Sequence, residues 1–310
     1  MRVLSTTTIN IKAENGTDKL IADAEANYCR QLAAVVEELI AEKDEKPVIL
    51  LSGPSGSGKT TSAFRIRRML CNQGINTYTM SMDNYFIPMG DPRTVYEEDG
   101  SVDFESPARL EAEQLADHLE KMWSGEAFTL PVFDFVAQKQ IPGARFKRGK
   151  DEMVILEGIH ALNPEITGLV SEHSAGVYVS VRTRVKSHNG TRLHPAKIRL
   201  ARRLIRDTLF RGRSVEQVLQ NFANVQRGEE KYIIPYKRYA ECQVDTFMAY
   251  ELSAYKPFLG EALSAMRDGE YDNVVKKLNL VLGELESVGL DGVPCDSLLR
   301  EFTGGSEFEY

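Results

Sequence analysis

No stretch of this 310-residue chain approaches the roughly 20 consecutive apolar residues that a membrane helix requires. The N-terminus, Met1-Arg2-Val3-Leu4-Ser5-Thr6, lacks an apolar core, so no secretory leader is expected. Cysteine is sparse. Cys29, Cys71, Cys242 and Cys295 lie far apart and form no metal-type pair, and they read as buried free thiols of a reducing cytoplasm. Internal repeats and low-complexity linkers are also missing. What remains is an ordinary globular composition, 42% hydrophobic and 27% charged, with a formal net charge of −7.

That charge is unevenly placed. Between Arg182 and Arg213 there are 11 basic residues and one acid, Asp207, so this segment carries +10 and the rest of the chain −17. Overall acidity argues against a general nucleic-acid binder, while the basic segment implies that something anionic is held at one place.

Hydrophobic spacing outlines alternating helices and strands. A helix is predicted from Lys19 to Lys43. Buried strands follow at Val48–Leu51, Thr77–Met82, Met153–Leu156 and Val177–Val181, with a weaker one at Gln243–Met248. Helices are predicted over Lys59–Gln73 and Pro107–Trp123, the latter capped by Ser106. Residues 1–17 show no clear period, and 259–310 read as one or two helices with an irregular end. Such alternation implies an α/β fold: a three-layer arrangement around a parallel sheet of about five strands. We divide the chain into an N-terminal helical extension (1–45), a phosphate-binding domain (46–258) and a C-terminal helical extension (259–310).

The strongest local signal is Gly53-Pro54-Ser55-Gly56-Ser57-Gly58-Lys59-Thr60, a G-x-x-x-x-G-K-[ST] loop between a predicted strand and a predicted helix. Its glycines let backbone N–H groups curl around phosphate, and the helix N-terminus adds partial positive charge. Gly53, Ser55, Gly56, Ser57, Gly58, Lys59, Thr60 and Thr61 are therefore candidate nucleotide-binding residues, with Lys59 reaching the β- and γ-phosphates and Thr60 a magnesium ligand. Asp83 ends the second strand, at the edge where α/β sheets bind ligands, and suits a general base for an attacking hydroxyl. Glu157 ends a buried strand near the loop and suits a second Mg²⁺ contact. His160 reads as a packed loop residue. Arg199, Arg203 and Arg206 fall on one helical face, followed by Arg211-Gly212-Arg213. We read this stripe as a mobile lid that closes arginines over a transferring phosphate, with a nucleic-acid groove as the rival. No Asn-Lys-x-Asp motif reads guanine, and the Leu-Ser-Gly-Gly-Gln signature of transport ATPases is absent.

These motifs resemble the uridine kinase / phosphoribulokinase family of P-loop kinases. The resemblance rests on the loop, Asp83-Asn84-Tyr85-Phe86, Asp103-Phe104-Glu105, Pro131-Val132-Phe133-Asp134-Phe135, Leu156-Glu157-Gly158-Ile159-His160 and the arginine run. It spans about residues 46–258. Val225–Ile233 and Leu298–Ser306 resemble a bacterial nucleoside-kinase branch, whose longer members carry extra N-terminal domains similar to parts of threonyl-tRNA synthetase. The resemblance implies ATP- and Mg²⁺-dependent phosphorylation of a nucleoside 5′-hydroxyl in the cytoplasm. Asp83, Lys59, Arg206 and Arg211 would then be catalytic, and Arg213 a nucleotide contact. Asp83, Tyr85, Glu105, Phe133, Phe135, Arg203 and Arg206 would contact the acceptor. Phe133, Gln138 and Gln140 stand where such kinases carry Tyr, His and Arg. A kinase for another small alcohol or sugar is therefore the first alternative, and a non-catalytic NTP-binding regulator the second. The implied partner is a small molecule rather than nucleic acid or membrane, with a homo-oligomer left open.

Overall fold

Val48-Ile49-Leu50-Leu51 and Met153-Val154-Ile155-Leu156 are apolar at every position, and both runs are buried on both faces. In the computed structural model, which describes residues 2–98, 100–264 and 272–310, they lie in the middle of one sheet. Its strands are β2 (Val48–Ser52), β3 (Thr77–Ser81), β6 (Met153–Glu157), β7 (Ser174–Ser180) and β10 (Cys242–Asp245). They run in the order β10-β7-β2-β6-β3, and every pair is parallel.

Alternate side chains of a strand point to opposite faces. Accordingly Ile49, Leu51, Ile155, Val177 and Val179 join one core, while Val48, Leu50, Val154, Leu156 and Tyr178 join the other. Helices α2 (Thr17–Ala41), α3 (Lys59–Asn72), α6 (Pro195–Phe210), α7 (Val215–Tyr232), α8 (Glu251–Ser264) and α9 (Asp272–Glu284) contribute to the first core. Helix α4 (Ala112–Ser124) and the antiparallel hairpin β4 (Phe128–Asp134) and β5 (Lys139–Phe146) cover the second. The chain thus has the α/β, three-layer P-loop fold with a five-stranded parallel sheet.

The terminal segments build the first core as well. Residues without clear period form β1 (Val3–Ser5) and α1 (Thr6–Glu14), where only Thr6 and Ile9 are buried. β1 pairs with β8 (Arg184–Lys186), which pairs with β9 (Arg192–Leu193) in a small second sheet. Leu20, Tyr28 and Leu32 from α2, and Leu298, Leu299 and Phe302 at the start of α10 (Arg300–Thr303), pack with the sheet residues. The short α5 (Pro164–Thr167) follows β6. The helix predicted from Pro107 is split. Ser106 caps only a 3₁₀ turn, Pro107–Arg109, and α4 begins at Ala112. Between them Ile87 N–H donates to Arg109 O (2.8 Å), Glu111 N–H donates to Tyr85 O (2.8 Å) and Leu110 bridges Phe86, which holds Leu110 extended. Among the described residues, no helix is long and apolar enough to cross a membrane.

Candidate active site

The phosphate-binding loop leaves the carboxyl end of the central strand β2 and enters α3. Close neighbours and backbone conformation explain two of its glycines. A Cβ on Gly53 would lie 2.0 Å from Val179 O in the neighbouring strand. Gly58, the N-cap of α3, has φ +83°, and a Cβ there would lie 2.4 Å from Leu298 Cδ1. Lys59 Nζ lies across the loop, 3.5 Å from Pro54 O. Ser57 Oγ is buried with no hydrogen-bond partner. A buried, unpaired hydroxyl inside such a loop suits a phosphate-oxygen contact.

Three side chains hold the loop from outside. Fully buried Arg202 donates from Nη1 to Gly56 O (3.1 Å) and from Nη2 to Thr246 O (2.6 Å), and it pairs with Glu251 at 2.7 and 3.1 Å. Arg199 donates to Ser55 O (2.8 Å) and binds Glu229 through both Nη atoms at 2.6 and 2.7 Å. Glu229 in turn accepts the Ser55 N–H at 3.2 Å. The helical stripe therefore divides. Arg199 and Arg202 brace the loop, and α6 sits in the core with eleven buried residues. Arg203, Arg206, Arg211 and Arg213 instead all approach one carboxylate, Asp207, at 3.8, 2.8, 3.5 and 3.9 Å. Arg203 also donates to Ser55 Oγ, so this second group begins at the loop. Burial raises the Asp207 pKa, but the Arg206, Arg203 and Arg211 guanidiniums outweigh it and hold the carboxyl below its usual range. Four cations share one anion, which leaves a concentrated positive field beside the loop.

Sheet register assembles the opposite wall. Ser81 and Glu157 are paired residues at the carboxyl ends of β3 and β6, and Ser81 Oγ donates to Glu157 Oε1 at 2.9 Å. Burial pushes Glu157 up to about 7, with Lys59 opposing and Asp83 reinforcing the shift. Asp83 follows in a 3₁₀ turn, Met82–Tyr85, capped by Ser81 Oγ on the Asp83 N–H (3.3 Å). Its side chain is open to water, yet the surrounding protein displaces enough solvent to raise its pKa against Lys59, Arg211 and Arg206. Those three cations lie close enough to Asp83 to act on its charge. A carboxylate held there is placed to take a proton, and the cations to receive negative charge.

Glu105 is buried and pushed up to about 7, first by desolvation and then by Glu229, with Arg203 opposing. One of its oxygens has no partner. Phe133 is buried edge-on to Phe86 (5.9 Å) and Phe135 (5.1 Å), and its N–H is held by Asn84 Oδ1 at 3.1 Å. Phe135 itself is 59% exposed. Gln138 sits at the hairpin tip with φ +52°, and its amide donates to Phe135 O (2.6 Å). Gln140, paired with Phe133 across the hairpin, has a buried and unpartnered Nε2.

Tyr85 corrects an expectation. It is 1% exposed, its hydroxyl lies 2.9 Å from His118 Nδ1, and it belongs to the core beneath the sheet rather than to the candidate site. The tight 3₁₀ turn aims residues two apart in different directions, so Asp83 is open to water and Tyr85 faces the interior. His160 is buried, with its pKa driven down to about 4 by desolvation, so it stays neutral. The sequence named Asp207 only as the lone acid of the basic segment and Asn84 only within a motif, and it gave neither them nor Glu229 a role.

The C-terminal segment also reaches the loop. Thr61, in the first turn of α3, donates its N–H (3.3 Å) and Oγ1 (2.6 Å) to Glu301 Oε2, and its Oγ1 lies 2.9 Å from the Tyr310 hydroxyl.

Relatives share this architecture. The model of the Phosphoribulokinase / Uridine kinase family matches residues 48–253. Among similar sequences, a uridine kinase from Anoxybacillus flavithermus is 31% identical over 199 residues, covering 64% of this chain and 85% of that protein. One from Halobacterium salinarum is 29% identical over 194 residues, covering 62% and 76%. The crystal structure of a fructose transport system kinase candidate from Silicibacter sp. superposes with a TM-score of 0.50 at 18% identity, covering 69% of this chain and 97% of that one. That likeness shows the fold. With its phosphate-binding loop on the central strand, and with well over half of its residues under the family model, the chain belongs to the phosphoribulokinase / uridine kinase family and is a P-loop kinase.

Proposed function

We propose that this kinase transfers the γ-phosphate of ATP to the 5′-hydroxyl of a nucleoside-like acceptor. The observation that supports it best is the place of Asp83, just past the carboxyl end of β3 and within the electrostatic reach of Lys59, Arg206 and Arg211. Residues 53–61 cradle the triphosphate, and Lys59 draws charge from the β,γ bridge. Thr60 and Glu157 are the side chains for Mg²⁺, which supplies charge neutralisation at the phosphate oxygens when bound. Among the described residues no group of three or more His, Cys, Asp or Glu is arranged to hold a metal ion by itself. Asp83 accepts the proton of the acceptor hydroxyl. Arg203, Arg206, Arg211 and Arg213 exchange their shared Asp207 for the phosphoryl group, and Arg213 borders the nucleotide. Glu105 accepts from acceptor hydroxyls, while Phe133 and Phe135 flank its ring.

The acceptor is neutral on this reading. Arg93, the exposed cation of segment 84–110, is already bound to Asp91 and to Glu111 at 2.8 Å each. Arg109, the other, is buried, 4% exposed. Arg93 thus has no free charge for a phosphate carried by the acceptor, and Arg109 is screened from solvent with its guanidinium over the Phe86 ring at 5.9 Å. A second reading, a kinase for a different small alcohol or sugar, is favoured by the hairpin. Phe133 has no polar atom for a base, and the Gln138 amide is engaged with its own turn. The test is a coupled ADP-release screen over nucleosides and simple sugars, with Asp83→Asn as control. Nucleoside-dependent ADP release that disappears in the variant supports the proposal. Turnover only with a sugar moves it to the second reading, and near-normal turnover in Asp83→Asn removes the base assignment.

A further inference from the structure

The donors at the loop–helix junction already hold an anion from the chain itself. The first turn of a helix leaves its N–H groups without intrahelical partners, and in a P-loop these amides cradle the α- and β-phosphates. In α3 the first such internal bond runs from Ser62 N–H to Gly58 O at 3.0 Å, so Thr61 carries the last free amide. That amide and the Thr61 hydroxyl both point at Glu301 Oε2, 240 residues away, at 3.3 and 2.6 Å.

The segment that delivers Glu301 is firmly seated on either side of it. Leu298 packs on Gly58, and Phe302, fully buried, lies under the Arg202 guanidinium at 5.3 Å. Arg300 donates to Leu290 O (2.9 Å) and Val293 O (2.8 Å). Farther on, Phe308 and Tyr310 rest against Phe64, with ring centroids 5.3 and 6.3 Å apart. The backbone is anchored, and the carboxylate is the part that extends over the junction. A carboxylate and a phosphate oxygen make the same demand on an N–H and a hydroxyl, and they repel each other at short range.

We propose that Glu301 is a residue of the nucleotide site that competes with nucleotide phosphate for the Thr61 donors. It acts as a carboxylate latch that must swing away, with Tyr310, when nucleotide enters. The inference rests on the ATP-dependent reading above. While nucleotide is absent, the latch satisfies donors that would otherwise be unpaired, which stabilises the empty loop and weakens nucleotide affinity by the same interaction.

The experiment is calorimetric titration of the full-length protein with ADP and Mg²⁺, without acceptor, alongside thermal melts. Glu301→Gln keeps the shape and removes the charge. It should bind ADP about tenfold more tightly than the parent chain, with its melting temperature equal or lower. Glu301→Asp withdraws the carboxylate by one methylene and should fall between the two, and it serves if the Gln variant does not fold. Affinity that is unchanged or weaker in a folded variant overturns the latch and leaves the kinase reading standing. Absence of ADP binding in the parent and both variants breaks the nucleotide reading, and the latch with it.

Discussion

Two halves of one arginine run behave differently because of what faces them. Arg199 and Arg202 each have a carboxylate of their own, Glu229 and Glu251, bound by two contacts in a buried setting. Arg203, Arg206, Arg211 and Arg213 have Asp207 between them. A matched pair is electrically complete and serves as a strut. A group with three charges in excess is complete only when another anion arrives. Residue type is identical throughout, so the ratio of cations to anions separates bracing from binding.

The comparison breaks most visibly at Arg202. Arg202→Leu strands Glu251 without its partner in a fully buried position, and a loss of about 3–5 kcal/mol is expected in denaturant titrations. A loss below about 1 kcal/mol would remove Arg202 from the struts. Arg206→Ala should do the reverse. It relieves crowding among like charges, so the unfolding midpoint should hold, while kcat falls about 10²–10³-fold. A variant that melts early and turns over normally would place Arg206 with Arg202. Arg199→Lys tests the border, because a lysine cannot reproduce the two-point contact with Glu229 or reach Ser55 O in the same geometry. A loss of about 1–2 kcal/mol is expected, together with a raised KM for ATP, since Glu229 also holds the Ser55 N–H.

A pH-dependent effect concerns Glu105, which feels Glu229 from one group and Arg203 from the other. Its folded pKa of about 7 lies above the ordinary carboxylate value of 4.5, so the folded state binds more protons between those pH values. Its contribution to stability is therefore present below pH 4.5 and is lost as pH rises through 7. Glu105→Gln should be flatter, gaining on the parent by about 1–3 kcal/mol across that window. Parallel stability curves for the two proteins would show that Glu105 does not carry the shift.

The sheet and the loop were legible because their signals are contiguous. Val48–Leu51 followed by Gly53–Thr60 states strand, turn and helix within about fifteen residues, and no other arrangement satisfies both the buried run and the glycines. Asp83 and Glu157 were legible as acids at or just past strand ends, whereas Glu105, far from any strand, stood out only through the resemblance. What failed to show was direction and pairing at a distance. Tyr85 reads like its neighbour Asp83, and only the geometry of a four-residue turn sends it to His118 instead. Arg202 and Arg203 are adjacent and chemically alike, and their separation depends on Glu251 and Asp207, one of which lies in another helix. The contact between Thr61 and Glu301 joins opposite ends of the chain and leaves no periodic trace.

The shared core of the sheet and the terminal segments sets the limits of autonomy for this protein. Tyr28 bonds Ser62 across 2.7 Å, and Tyr250 and Ser297 converge on Glu25, which also holds Arg65. These bonds tie α2 and the tail to the first turns of the helix that follows the phosphate loop. Cutting the chain to the span 48–253 would peel away the cover from Ile49, Leu51 and Val177 and leave a sticky half-sandwich in its place. The folding unit is expected to be longer than the span of the family model, so a chain cut to residues 48–253 should melt below the full-length protein.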